Sequence, residues 1–135
     1  MAAGRYSFVI EQGATTDFEV QYTDSSGNPV DLTNYTGRLQ VRSGYAQDNG
    51  ELFLTLSSSL APDRTGLNFS GSNGSTPPTS GSIGIFISST TSSALTFNEA
   101  LYDLEIYSGS NDSPFTVRLL EGKVKLSKQV TTWYE

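Results

Sequence analysis

Apolar residues recur at every second position along most of this chain, and that period constrains the fold more than any other feature. Phe8 and Ile10 share a parity, as do Phe18, Val20 and Tyr22; Leu39 and Val41; Leu52, Leu54 and Leu56; Leu67 and Phe69; Ile83, Ile85 and Ile87; and Tyr102, Leu104 and Ile106. Successive strand side chains point to opposite faces, so each run predicts a strand with one buried and one wet face. Between the runs lie turn residues: Gly13-Ala14-Thr15 bends the first pair apart, and Ser26-Gly27-Asn28 supplies a tight turn. Short strands at this spacing predict an all-β, antiparallel sandwich of about 7–9 strands. The one helical candidate is residues 89–95, where hydroxyl caps precede Ala94-Leu95, read as a single turn crossing between the sheets.

Local signals sharpen this picture. In residues 115–130, Val117 and Leu119 sit on one parity and Val124 and Leu126 on the other, which predicts a bulge or bend at Glu121-Gly122. Tyr102 opens a strand after the crossover; it is placed either for a tyrosine corner, bonding back to upstream backbone, or as a plain core residue. The alternation assigns Phe18, Val20, Leu39, Val41, Ile85, Ile87, Leu104, Ile106, Val124 and Leu126 to the core. Residues 71–81 and 44–50 read as mobile connections, the first almost devoid of groups that could be buried.

At 135 residues the chain predicts one domain over 1–135, with short contact arms at both ends. It contains neither Cys nor His, which excludes disulfides, thiolate sites, Cys nucleophiles and Ser-His-Asp arrangements, and removes the commonest zinc ligand. Without His or Cys a nucleophile-base pair could be assembled only through Lys or carboxylates, which show no clustering in the sequence, so the reading is non-enzymatic, without cofactor or metal. A net charge of -6 repels phosphate backbones and anionic membranes, arguing against nucleic acid and membrane partners. The first residues lack the apolar core of a secretory signal, and no apolar run reaches the length of a membrane helix. Charged residues form only 16% of the chain and Ser, Thr, Asn and Gly abound. Such a surface is first of all that of exposed strands and turns; a surface largely in contact with other proteins is the second reading.

Three constellations have residue types that could carry chemistry or contacts. Asp103 and Glu105 share a strand face as a carboxylate pair, read as solvated rather than catalytic. Asp24-Ser25-Ser26-Gly27-Asn28 has the oxygen-rich look of a calcium loop, but Tyr35 stands where a closing Glu would be needed, so a turn accounts for it. Tyr6, Tyr45, Tyr107, Trp133 and Tyr134 fit either a glycan platform or a protein contact, and the adjacent Trp133-Tyr134 at a chain end favours the contact. Tyr6, Tyr45, Val130, Trp133 and Tyr134 are therefore the candidate partner-contact residues.

A resemblance extends these readings. Residues 8–13, the run Asn28-Pro29-Val30-Asp31-Leu32-Thr33-Asn34-Tyr35-Thr36, Arg38-Leu39-Gln40-Val41-Arg42, residues 85–95, Tyr102-Asp103-Leu104-Glu105-Ile106 and Arg118-Leu119-Leu120-Glu121-Gly122-Lys123-Val124 together resemble the immunoglobulin-like domain of tailed-phage structural proteins. They are similar to the N-terminal domain of baseplate upper proteins and small tail-associated proteins. The resemblance implies an immunoglobulin-like sandwich and a virion structural role as a tail, baseplate or neck adaptor, assembled in the host cytoplasm. Its partners would be other virion proteins and copies of itself. In the fibre-bearing relatives helical or fibrous sequence follows this domain, whereas here the chain stops at Glu135, which favours an adaptor over a receptor-binding fibre. A capsid decoration protein, a carbohydrate-binding module and an accessory domain of a secreted hydrolase are the alternatives.

Overall fold

The computed structural model describes residues 4–108 and 115–131. The described strands are β1 (Gly4–Arg5), β2 (Phe8–Glu11), β3 (Thr16–Gln21), β4 (Thr36–Arg42), β5 (Leu52–Ser57), β6 (Gly66–Asn68), β7 (Ser82–Ile87), β8 (Glu99–Ser108) and β9 (Phe115–Ser127), with one short helix, α1 (Ser89–Ser93). They form two sheets. The larger runs β1-β9-β8-β4-β5, with β2 also on β9; the smaller runs β3-β7-β6. The chain is thus an all-β sandwich in which β3, β7 and β6 face β9, β8, β4 and β5. One departure from the expected antiparallel pattern lies at the N-terminus. Both β1 and β2 pair with β9 in parallel, Gly4 opposite Leu120 and Phe8 opposite Val124.

The chain crosses between the sheets four times, and two of the crossings, β2 to β3 and β7 to β8, are held by polar contacts around α1. Gly13, at φ +83°, bends the chain from β2 in one sheet to β3 in the other. Here Ser92, fully buried on α1, accepts from the Gly13 amide at 3.1 Å and donates to the Ala14 carbonyl at 2.8 Å. α1 makes the return crossing from β7 to β8, as its hydroxyl-rich sequence predicts. Its N-cap Ser88 accepts from the Thr91 amide. Asp63 ties this cap down, accepting from the Thr65 amide at 3.0 Å and from the hydroxyls of Ser88 and Thr91 at 2.5 and 2.9 Å. Those donors, the Ser88 hydroxyl foremost, hold its carboxyl well below the usual carboxylate range.

One apolar cluster fills the space between the sheets. Leu39, Val41, Ile85, Ile87, Leu104, Ile106, Val124 and Leu126 are buried, in line with the alternation. Phe18 and Val20 are only half-buried, because β3 is an edge strand with no neighbour on its outer side among the described residues. Residues outside the expected core complete it: Phe8, Ile10, Leu32, Leu56, Leu67, Ile83, Leu95, Phe97, Ala100 and Tyr102. Leu52 is exposed despite its place in a Leu-x-Leu-x-Leu run, since the β4–β5 register shifts between Val41 and Arg42.

Two signals in the last strands mean something other than expected. The bulge in β9 lies at Leu119, where the register jumps from Leu104–Leu120 to Glu105–Arg118, and not at Glu121-Gly122. Gly122 is needed for space. A Cβ there would fall on the Tyr6 carbonyl oxygen. Nor does Tyr102 form a tyrosine corner: its hydroxyl donates to that same Tyr6 carbonyl, joining β8 to the N-terminal segment rather than to the crossover. Burial raises the Tyr102 phenol from 10.0 to about 12. A phenol whose pKa is raised on folding stabilises the fold fully below its unfolded value, and that contribution is lost as pH rises through the folded value. Alkaline melting curves should therefore fall off between pH 10 and about 12, and Tyr102→Phe should flatten that fall while costing about 0.5–1.5 kcal/mol at neutral pH.

The two connections read as mobile are held by polar contacts. In the first, Glu19 accepts from the Ser72 amide at 2.8 Å, Asn73 accepts from the Ser75 amide, and the Thr76 amide donates to the Ser70 carbonyl. The loop covers Gly84 of β7 so closely that a Cβ there would lie 2.6 Å from the Ser72 nitrogen. Apolar burial is not required when backbone groups are satisfied by Asx turns and a neighbouring strand. In the second connection, Arg42 donates to the Gly50 carbonyl at 3.0 Å, and residues 46–48 form a 3-10 turn. Asp24 similarly accepts from the amides of Ser26 and Asn28, which closes its loop as a turn.

Candidate functional site on the outer face of the larger sheet

Outward-facing positions of the larger sheet collect most of the cations. Six of the eight Lys and Arg residues lie on its strands: Arg5, Arg38, Arg42, Arg118, Lys123 and Lys125. Alternation explains the placement, since Leu39, Val41, Val124 and Leu126 point inward and force their neighbours out. The same rule puts Asp103 and Glu105 on this face beside Leu104 and Ile106.

Arg118 organises the centre. Its Nε lies 3.4 Å from Asp103 Oδ2 and 3.6 Å from Glu105 Oε2, and its Nη1 lies 3.8 Å from Glu121 Oε2. The bulge at Leu119 brings Arg118 into this position, directly opposite Glu105. Asp103 is pushed above its usual carboxylate value, first by burial and then by the repulsion of Glu105, against the opposing pull of Arg118. Arg42 is otherwise engaged, donating to Gln40 Oε1 and the Gly50 carbonyl. Arg38 has no ion-pair partner among the described residues.

A raised carboxyl pKa means that the folded state disfavours the ionised form, so this contribution to stability is lost as pH rises through the folded value. Asp103→Asn removes that penalty. It should match or exceed the parent protein in stability at pH 7 by about 0.5 kcal/mol or less, given its partial exposure, with the gap closing as pH falls below the carboxylate range. Urea titrations at pH 3 and pH 7 check the sign.

The face is shallowly concave. A depression of about 280 Å³ is bounded by Arg38, Gln40, Asp103, Glu105, Arg118 and Tyr45. A second, of about 320 Å³, continues it toward Arg5, Ser7 and Lys123, and shares Tyr45, Leu101 and Glu121 with the first. Tyr45 stands at the junction with 71% of its surface exposed. Alternating guanidinium and carboxylate groups beside an exposed ring can hold charged and amide groups of a protein surface, with charge setting register and the ring supplying contact area.

The sequence-derived contact residues do not converge. Tyr45 lies on this face. The Tyr6 ring turns the other way, packing on Phe8 and Phe18 with centroids 6.3 and 5.8 Å apart, and its amide donates to Glu121, so it is partly a structural residue. Val130 is fully exposed beyond β9. Trp133 and Tyr134 lie outside the described residues. Arg38 and Arg118 are not among the sequence-derived contact residues: the Leu39/Val41 and Val117/Leu119 alternations place both outward, but the register that sets Arg118 opposite Glu105 depends on the bulge at Leu119. No protein-family model matches this chain, and no curated protein matches it.

Proposed function

We propose that this protein is a non-enzymatic structural component of a tailed-phage particle, a tail, baseplate or neck adaptor that works through protein contacts. The observation that carries the reading is the ordered set of phrases resembling tail-associated immunoglobulin-like domains. They fall on β2, β4, β8 and β9 of the larger sheet, on β7 of the smaller and on the α1 crossover, so the likeness is not confined to one hairpin. The charged, Tyr45-bearing face supports the same reading, because it offers a broad polar docking surface rather than an enclosed pocket.

The test is mass spectrometry of purified particles from host cells carrying the gene, with the copy number measured against the major capsid protein. A copy number matching the tail or neck symmetry supports the adaptor; a number approaching that of the capsid protein gives the decoration role instead. Absence from the particles overturns both. Tyr45→Ala provides the residue-level check. With its ring exposed, the substitution should change folding stability by no more than about 0.5 kcal/mol. If Tyr45 anchors a partner, the same substitution should weaken incorporation by about 2 kcal/mol, or roughly thirtyfold.

A further inference from the structure

Among the described residues, β3 has no strand neighbour on its outer side. The Tyr22 amide donates to the Gly81 carbonyl on the β7 side at 2.8 Å. Alternation along the β3–β7 ladder then turns the backbone groups of Asp17, Glu19 and Gln21 off the opposite edge. No described residue bonds to them there. In an immunoglobulin-like sandwich a first strand commonly occupies this place; here the N-terminal strands have gone to β9. A groove of about 190 Å³ runs beside this edge, with Val20, Val117, Leu119 and Leu120 as its apolar wall and Gln21, Thr23 and Arg118 as its polar members, the Arg118 charge being met by Asp103, Glu105 and Glu121. On the far side of the sandwich the β5–β6 connection packs closely, and a Cβ added at Gly66 would lie 2.6 Å from the Ser57 carbonyl oxygen.

Charge selects the occupant. The outward side chains of β3 are Asp17, Glu19 and Gln21, and β3, β6 and β7 carry no Lys or Arg. A second copy pairing edge to edge about a two-fold axis would set Glu19 opposite Glu19, Asp17 or Gln21, depending on register. Two of those three registers oppose like charges, and none supplies a cation. A strand with cations on its outer face and apolar residues on its inner face satisfies both the acids and the groove.

We propose that the β3 edge is a strand-accepting site for an extended segment of a partner protein in which Lys or Arg alternates with apolar residues. Pairing would follow the usual strand-addition logic, with main-chain bonds to Asp17, Glu19 and Gln21, and side chains read by the groove, by the Asp17 carboxylate and by Glu19 Oε2, since Glu19 Oε1 accepts from Ser72. The proposal stands independently of the virion reading.

The probe is the capped peptide Ac-Lys-Val-Lys-Val-Lys-NH2, compared with Ac-Glu-Val-Glu-Val-Glu-NH2, added to the full chain with amide exchange and chemical shifts followed by NMR. The expected result is binding of the basic peptide, with new exchange protection at Asp17, Glu19 and Gln21, and weaker or no binding of the acidic one. Asp17→Lys, at an exposed side chain, should weaken the basic peptide about fivefold and strengthen the acidic one. A melting curve shows that this variant is folded, and Asp17→Asn serves in its place if it is not. Equal binding of both peptides, protection confined to the larger sheet, or concentration-dependent pairing of β3 with a second copy would each overturn the proposal.

Discussion

Leu104→Ala should be among the most destabilising single substitutions in this protein. Leu104 is fully buried at the middle of the larger sheet, opposite Leu39 on β4 and Leu120 on β9. It sits two strands from either edge of that ladder, so the surrounding backbone cannot collapse into the space left behind. Truncation of a buried Leu in such a place costs about 2–5 kcal/mol, from lost transfer energy plus the residual cavity. For a chain of this size that lowers the melting temperature by about 8 °C or more. Urea unfolding should show a lower midpoint at an unchanged slope, which marks a change in stability rather than in the extent of unfolding. Leu52→Ala is the matched control. Leu52 has the same side chain in a similar alternating run but is 45% exposed, so its truncation should cost less than about 1 kcal/mol. Equal losses in the two variants would refute the inward assignment of β8.

Gly122→Ala should also be costly, for a different reason. The glycine adopts no unusual dihedral; what matters is the Tyr6 carbonyl lying against its α-carbon. That carbonyl accepts the buried Tyr102 hydroxyl, while the Tyr6 amide donates to Glu121 at 3.0 Å. A methyl group cannot enter without lifting the segment that carries β1 and β2, and overpacking of this kind costs about 1–3 kcal/mol. The damage should be local at first. Amide exchange should accelerate in Phe8–Glu11 well before it does in β3 or β7. An alanine variant with parent-like stability and a protected Tyr6 amide would show that the segment is not packed against Gly122.

The sandwich was legible because its central strands alternate cleanly. Leu39/Val41, Ile85/Ile87 and Leu104/Ile106 each have sheet neighbours on both sides, so period and burial coincide. Phe18 and Val20 show the same period without full burial, since a pattern of side chains says nothing about whether a strand will have a neighbour. The parity flip in β9 was visible, but a glycine close by drew the bulge to the wrong residue. Two different demands, an extra residue at Leu119 and space for a carbonyl at Gly122, sit within four positions of each other. Order in the 71–81 connection was hidden for a related reason. Composition reports apolar burial, whereas this loop is fastened by Glu19 and by its own Asn side chains, contacts that only tertiary placement creates. The outer face of the larger sheet follows the same division: Arg38, Asp103 and Glu105 could be placed by parity, and their meeting with Arg118 could not.

The parallel pairing of β2 with β9 has a mechanical consequence. These strands stand near the two ends of the described chain, and they run side by side in the same direction from Phe8–Val124 to Glu11–Ser127. Tension applied through the two ends of the chain would pull β2 toward its start and β9 toward its finish, sliding one past the other. Every cross-strand bond between them would then bear the load at once, instead of opening one after another as in a hairpin pulled apart at its tip. Rupture under force is governed by the unfolding barrier rather than by equilibrium stability. A domain tethered at both ends would resist stretching through this terminal pair, with the Tyr102–Tyr6 bond and the Gly122 contact acting as its shear pins.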